Sequence, residues 1–178
     1  MSSLKLTLKA WPLIALLTIG LCYLTQTVAK GFGIELPDQA NIEIVKRYLG
    51  WNRTFVFLCL QVLILMPAIE ELIFRFLLWR LPARTLDKRQ KTKGKEGLKM
   101  EDGRLTNTAK VVAVVSSALF SAAHYIFQPW PDAAFIALFF FGLAQCWLYK
   151  KTGHLWCAIL NHALFNLTNL VLLFVLPQ

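Results

Sequence analysis

Five long apolar segments restrict the folds that are open to this chain. Mean hydropathy is +0.53 and 57% of the residues are apolar. A helix needs about 20 apolar residues to cross about 30 Å of hydrocarbon, where the backbone must satisfy its own hydrogen bonds. The sequence therefore predicts an all-α, polytopic transmembrane helical bundle with about five spans, in a single domain over residues 1–178. The spans are roughly Trp11–Ala29, Phe55–Leu81, Val111–Phe127, Ala133–Tyr149 and Leu155–Leu176.

A secretory signal peptide is the alternative for the first segment, because Lys5 and Lys9 precede it. The segment is longer than the usual apolar region of a signal peptide. Its end, Ala29-Lys30-Gly31, also makes a poor cleavage site. We therefore expect the first segment to remain as a membrane span.

Basic residues are distributed unevenly between the predicted spans. The loop at about residues 82–110 is rich in lysine and arginine, and Lys5, Lys9, Lys150 and Lys151 lie at the matching ends of other spans. Short cytoplasmic loops carry an excess of basic residues, so this loop and the amino terminus are predicted to be cytoplasmic. The net charge of +9 then reflects topology and attraction to anionic lipids of the bilayer. The basic run lacks interleaved aromatic residues, so no nucleic-acid partner is expected.

A cluster of charged residues, Glu70, Glu71 and Arg75, interrupts the apolar segment Phe55–Leu81. Charged groups at membrane depth are costly and usually functional. Glu71 and Arg75 are four residues apart, so an ion pair between them is predicted, whereas Glu70 points about 100° away and keeps its carboxylate for another partner. A purely structural salt bridge would explain Glu71 and Arg75 but not Glu70. Pro67 predicts a kink beside these carboxylates.

Two further residue pairs, each with a histidine, lie in the third and fifth segments. His124 follows Phe120 by one turn, and Asn166 follows His162 at the same spacing. Such residues can simply hold helices together. At about 1.5 Å per residue, however, Glu70, His124 and His162 lie about 17, 20 and 11 Å from the cytoplasmic helix ends, so all three helices can contribute to one pocket.

The residue types in this pocket suit hydrolysis of a peptide bond. Glu70 would act as the general base that takes a proton from water, and His124 would hold that water or help to shuttle the proton. His162 and Asn166 would donate hydrogen bonds to the oxyanion that forms when the water attacks the amide carbonyl.

The ordered motifs resemble those of the CAAX protease and bacteriocin-processing family of intramembrane endopeptidases (CPBP, also called ABI). The similarity covers roughly residues 55–170, and residues 151–156 (KTGHLW) and 160–166 (LNHALFN) share in it. It implies a type II CAAX prenyl endopeptidase-like enzyme without a cofactor, acting on a membrane-associated peptide or protein. The motifs are Glu70-Glu71-x-x-x-Arg75, Phe120-x-x-x-His124 and His162-x-x-x-Asn166. By this resemblance the catalytic residues are Glu70, His124, His162 and Asn166, with Glu71 and Arg75 in support.

The chain departs from the family pattern in two respects. Phe76 stands where many members have a small residue, and the chain is short. The short form resembles bacterial members, which predicts a bacterial inner membrane and leaves a homo-oligomer as one way to close the pocket.

Two alternatives use the same residues differently. In the first, Glu70, His124 and His162 ligate zinc and leave one position open, although no His-Glu-x-x-His helix is present. In the second, the protein is a non-catalytic bacteriocin-immunity or scaffolding protein, and the polar residues only bind helices together.

Overall fold

The computed structural model describes residues 2–37, 45, 47, 53–92, 107–126 and 132–175, with side chains omitted for 87–92. Most of these residues lie in helices, and no strand occurs among them. The predicted all-helical bundle is therefore confirmed. Its helices are α1 (Ser3–Gly31), α2 (residues 53–92, in five consecutive segments), α3 (Asn107–Ala123), α4 (Ala134–Thr152) and α5 (Leu155–Val175).

Three helical stretches are long and apolar enough to cross a membrane: Ser3–Gly31, Arg53–Leu86 and Leu155–Val175. Asn107–Ala123 is apolar but shorter. This length and composition support an integral membrane protein built on helices.

Helix α2 changes its hydrogen-bonding pattern around the charged cluster. Its segments are α-helical Arg53–Leu60, π-helical Gln61–Leu65, α-helical Met66–Glu71, π-helical Leu72–Arg80 and α-helical Leu81–Thr92. Pro67 was expected to kink this helix, and it lies at the start of the central α-helical segment. Proline has no N–H to donate, so the first turn of such a segment accommodates it well. The π-helical segments on either side bracket Glu70 and Glu71, and π-helical turns are frequent at functional sites.

The predicted basic segment at about 82–110 is helical at both of its ends. Helix α2 continues to Thr92, and α3 already begins at Asn107. Pro82 does not stop α2 because it lies in the first turn of the segment Leu81–Thr92, where a missing N–H is tolerated.

Helix α3 ends before the predicted boundary at Phe127, which lies outside the described residues. The helix stops at Ala123 and a turn follows over residues 124–126. Here the His124 N–H donates to the Ser121 carbonyl at 3.2 Å, and the Tyr125 N–H donates to the Ala122 carbonyl at 3.0 Å. Such three-residue hydrogen bonds tighten the end of a helix. His124 consequently lies just beyond the helix and not within it.

Close helix packing positions the elements that carry the polar residues. Helices α3 and α4 approach at Gly142, where an added Cβ would lie 2.9 Å from the Ser117 Cβ. Small residues allow this approach between membrane helices. Ile14 of α1 and Phe74 of α2 pack into the same apolar cluster as Phe120, Phe141 and Phe165. All five helices thus contribute to one core.

Candidate active site

The predicted ion pair between Glu71 and Arg75 is present and fully buried. Arg75 Nε lies 3.2 Å from Glu71 Oε2, and both side chains are 0% exposed. The Arg75 guanidinium also lies over the Phe120 ring, with its Cζ 4.2 Å from the ring centroid. This cation–π contact replaces part of the hydration that the buried guanidinium has lost.

The second oxygen of Glu71 binds His162, a contact that the sequence did not predict. His162 Nδ1 lies 2.9 Å from Glu71 Oε1. A carboxylate can only accept, so Nδ1 carries the hydrogen that it donates to Glu71. This bond fixes the orientation of the imidazole and directs Nε2 to the opposite side. Glu71 therefore links the cation on its own helix to a histidine on α5.

Glu70 has different surroundings from its neighbour Glu71. Its Oε2 lies 3.7 Å from His162 Nε2 and 4.0 Å from His124 Nε2. The side chain is 17% exposed, and the side chain of His124 is 23% exposed. These separations are longer than a direct hydrogen bond of about 2.7–3.2 Å, and they suit groups that share a water molecule. The structure thus brings Glu70, His124 and His162 to one partly open site.

The imidazole of His124 is oriented by the backbone at the end of α3. Its Nδ1 lies 2.9 Å from the Phe120 carbonyl oxygen. Since a carbonyl accepts, Nδ1–H is the donor, and Nε2 is turned towards Glu70. The rings of Phe120 and His124 also meet edge to face, with centroids 4.7 Å apart. Both imidazoles of the site therefore use Nδ1 for support and turn Nε2 towards the same carboxylate.

Asn166 is bound to α2 by its side-chain amide. Its Nδ2 donates to the Val62 carbonyl at 2.8 Å, within the π-helical segment Gln61–Leu65. An amide nitrogen carries two hydrogens, so this bond leaves a second donor on the same atom. The sequence placed Asn166 one turn from His162 but did not predict Val62 as its partner. Its role at an oxyanion stays a prediction.

Other buried polar side chains escaped the sequence analysis. Gln145 and Asn161 are both 0% exposed, and Ser117 is 1% exposed. Among the described residues, the amide atoms of Gln145 and Asn161 have no hydrogen-bond partner. Asn161 directly precedes His162 in α5. The sequence did contain a signal for Gln145: it is a polar residue within the apolar segment Ala133–Tyr149, and polar groups at membrane depth are rare.

The zinc alternative requires a cluster of metal-ligating side chains. Across the described residues, no group of three or more His, Cys, Asp and Glu side chains could hold a metal ion. The expected independence of a metal stays a prediction, with zinc as its alternative. What the geometry does provide is one partly open carboxylate facing two oriented imidazoles, an arrangement that can bind and polarise a water molecule.

Comparison with curated proteins and with solved structures gave no significant match. A family model described as type II CAAX prenyl endopeptidase Rce1-like matches residues 52–168. The match extends over more than half of the 178 residues and includes Glu70, His124, His162 and Asn166. It confirms the resemblance found in the motifs and supports a CAAX-type membrane protease. The chain therefore belongs to the Rce1-like family of type II CAAX prenyl endopeptidases.

Proposed function

We propose that this protein is an intramembrane endopeptidase that hydrolyses a peptide bond with water activated by Glu70. One observation carries the proposal. Glu70 Oε2 faces the Nε2 atoms of His162 and His124 at 3.7 and 4.0 Å, while the Nδ1 atom of each imidazole has a partner elsewhere. A base, a water site and an electrophilic group are thus close together before any substrate binds.

The first step is attack by water on the scissile carbonyl carbon. His124 Nε2 accepts one hydrogen bond from the water and holds it against Glu70. The Glu70 carboxylate takes the other proton as the new C–O bond forms. Glu70 then gives this proton to the leaving nitrogen as the C–N bond breaks. The carboxylate returns to its starting state, and the reaction consumes one water molecule.

His162 and Asn166 stabilise the oxyanion between these two steps. For this role His162 Nε2 must carry a hydrogen, which requires the doubly protonated ring because Nδ1–H already donates to Glu71. The second N–H of Asn166 supplies the other donor, and the bond to Val62 holds its amide in place. Donors that are oriented in advance contribute most of their effect in the transition state.

The family description directs the choice of substrate. Type II CAAX prenyl endopeptidases are named for prenylated carboxyl-terminal sequences, so a membrane-associated peptide with a prenylated cysteine is the first substrate to test. Its lipid would enter from the bilayer, where the helices of this protein are expected to lie.

The test uses the full chain in lipid nanodiscs with a quenched fluorescent peptide, prenylated or not. We expect the wild type to cleave the peptide, and EDTA or phenanthroline to have little effect on this activity. The variant Glu70→Gln should not cleave the peptide. Inactivation by chelators with recovery on added zinc would favour zinc held by Glu70, His124 and His162. Failure to cleave any membrane peptide would overturn the proposal and favour a non-catalytic immunity or scaffolding role.

A further inference from the structure

A groove lies between α3 and α4, away from the candidate active site. Its volume is about 310 Å³. Three lysines line it together with apolar side chains, and none of the residues that line it belongs to the proposed catalytic set. Lys110 and His124 are fourteen residues apart, which corresponds to about 21 Å along a helix. The lining residues used below are Lys110, Val114, Leu143, Trp147, Lys150 and Lys151.

The groove is divided into a cationic end and an apolar wall. Helices α3 and α4 run antiparallel, so Lys110 near the start of α3 meets Lys150 and Lys151 near the end of α4. From Leu143 to Lys150, α4 advances about 10 Å. The groove therefore matches a ligand with an anionic head and an apolar chain.

The cationic end brings like charges together. Lys150 follows the apolar segment that ends at Tyr149, and it is half-buried. Burial lowers the pKa of Lys150, and the neighbouring charges of Lys151 and Lys110 lower it further. Opposite charges attract, so an anion bound at this end of the groove would interact favourably with the lysines.

The apolar wall determines which anion fits. Val114 is 47% exposed and Trp147 is 44% exposed, on helices that belong to a membrane bundle. Tryptophan is enriched at the level of lipid headgroups, and lysines there attract anionic lipids. A soluble anion would contact only the lysines and would leave the apolar wall of the groove without a ligand. We propose that this groove binds an anionic phospholipid, with its phosphate between Lys110, Lys150 and Lys151 and an acyl chain along Val114, Leu143 and Trp147.

The first experiment measures retained lipid by native mass spectrometry of the full chain. The probes are phosphatidylglycerol, phosphatidylcholine and inorganic phosphate. The variant Lys110→Gln/Lys150→Gln/Lys151→Gln should weaken phosphatidylglycerol binding by about 100-fold, at about fivefold per lysine. The control Lys5→Gln/Lys9→Gln/Arg84→Gln removes the same charge from exposed positions outside the groove and should retain the lipid. Size-exclusion profiles and melting temperatures show whether each variant is folded. If the triple variant unfolds, the single variant Lys151→Gln, at an exposed position, replaces it in the binding measurement.

A second variant tests the apolar wall separately from the charge. Val114→Trp narrows the groove without removing a lysine, and it should also reduce the retained phosphatidylglycerol. Equal losses in the lysine variant and its control would overturn the proposal in favour of diffuse surface attraction. Equal retention of phosphatidylcholine would also overturn it. Binding of inorganic phosphate as strong as that of the lipid would show an anion site without an acyl-chain groove. Peptide cleavage does not enter these measurements, so the result is independent of the proposed protease activity.

Discussion

Adjacent carboxylates at positions 70 and 71 have separate surroundings in this protein. Glu71 is fully buried between Arg75 and His162, whereas Glu70 is partly exposed and lies 3.7 and 4.0 Å from two imidazole nitrogens. A buried carboxylate with two fixed partners stabilises an arrangement of helices. A carboxylate without a short ion partner can exchange protons with a substrate water.

The two glutamates provide a matched pair of variants. Glu70→Gln should abolish turnover and leave the melting temperature close to that of the wild type. Glu71→Gln should lower both, because breaking a buried ion pair typically costs about 3–5 kcal/mol. Turnover measurements and thermal unfolding in the same detergent check both expectations. Wild-type activity in Glu70→Gln would rule out Glu70 as the base.

Asn166 tests the proposed oxyanion site. Asn166→Ala should lower kcat by about 100- to 1000-fold and barely change KM, because the donor acts in the transition state. The loss of its hydrogen bond to Val62 should destabilise the fold by only about 1 kcal/mol. Asn169→Ala, a substitution one turn nearer the carboxyl end of α5, is the control and should leave kcat unchanged. A raised KM with normal kcat would assign Asn166 to substrate binding instead.

At the scale of elements, the site depends on how closely α3 and α4 approach. The path of α3 determines the positions of Phe120 and His124. On α4, the Phe141 ring packs against both Phe120 and His162. The contact between Gly142 and Ser117 sets the separation of these two helices. A small change in that separation would therefore shift His124 relative to Glu70.

Gly142→Ala should reduce stability and activity together. Its new Cβ would lie 2.9 Å from the Ser117 Cβ and 3.1 Å from the Ser117 Cα, so a backbone must move. Overpacking of this kind costs about 1–3 kcal/mol. Gly20→Ala is the control, since no atom lies within 4 Å of its added Cβ. Melting temperatures of the two variants are compared by thermal unfolding. Equal values would show that α3 and α4 can move apart without a loss of stability.

For the whole molecule, the basic end of the bundle predicts its orientation. Lys110, Lys150 and Lys151 line one groove between α3 and α4, and Arg80 at the same end lies over the Tyr149 ring, with its Cζ 4.6 Å from the centroid. The positive-inside rule assigns this end to the cytoplasm.

Cysteine labelling in intact cells tests that orientation. A cysteine introduced at Ser3 should resist a membrane-impermeant thiol reagent, and one introduced at Gln39 should react. The parent protein, whose native cysteines include Cys22 and Cys59, measures the background. Labelling of Ser3→Cys from outside would show that the orientation is the opposite one and that the basic groove faces away from the cytoplasm.

Local sequence patterns were sufficient to predict the helices and the short-range contact in the site. Apolar length predicted the bundle, and four-residue spacing predicted the pair Glu71–Arg75, because both depend on neighbours along one helix. The same spacing placed Phe120 beside His124, where the backbone contact was then found. The end of α3 at Ala123 was not predicted, since hydropathy continues beyond it.

Contacts between distant parts of the chain were decided by the tertiary structure alone. Glu71 and His162 are 91 residues apart, and Val62 and Asn166 are 104 residues apart. Motif order indicated that α2, α3 and α5 meet, but not which atoms pair. That outcome depends on the depth and rotation of each packed helix and on the π-helical segments of α2, which change the direction of its side chains. The sequence by itself determined which polar groups enter the membrane, and only the packing of the helices decided that Glu71 supports His162 while Glu70 faces the open site.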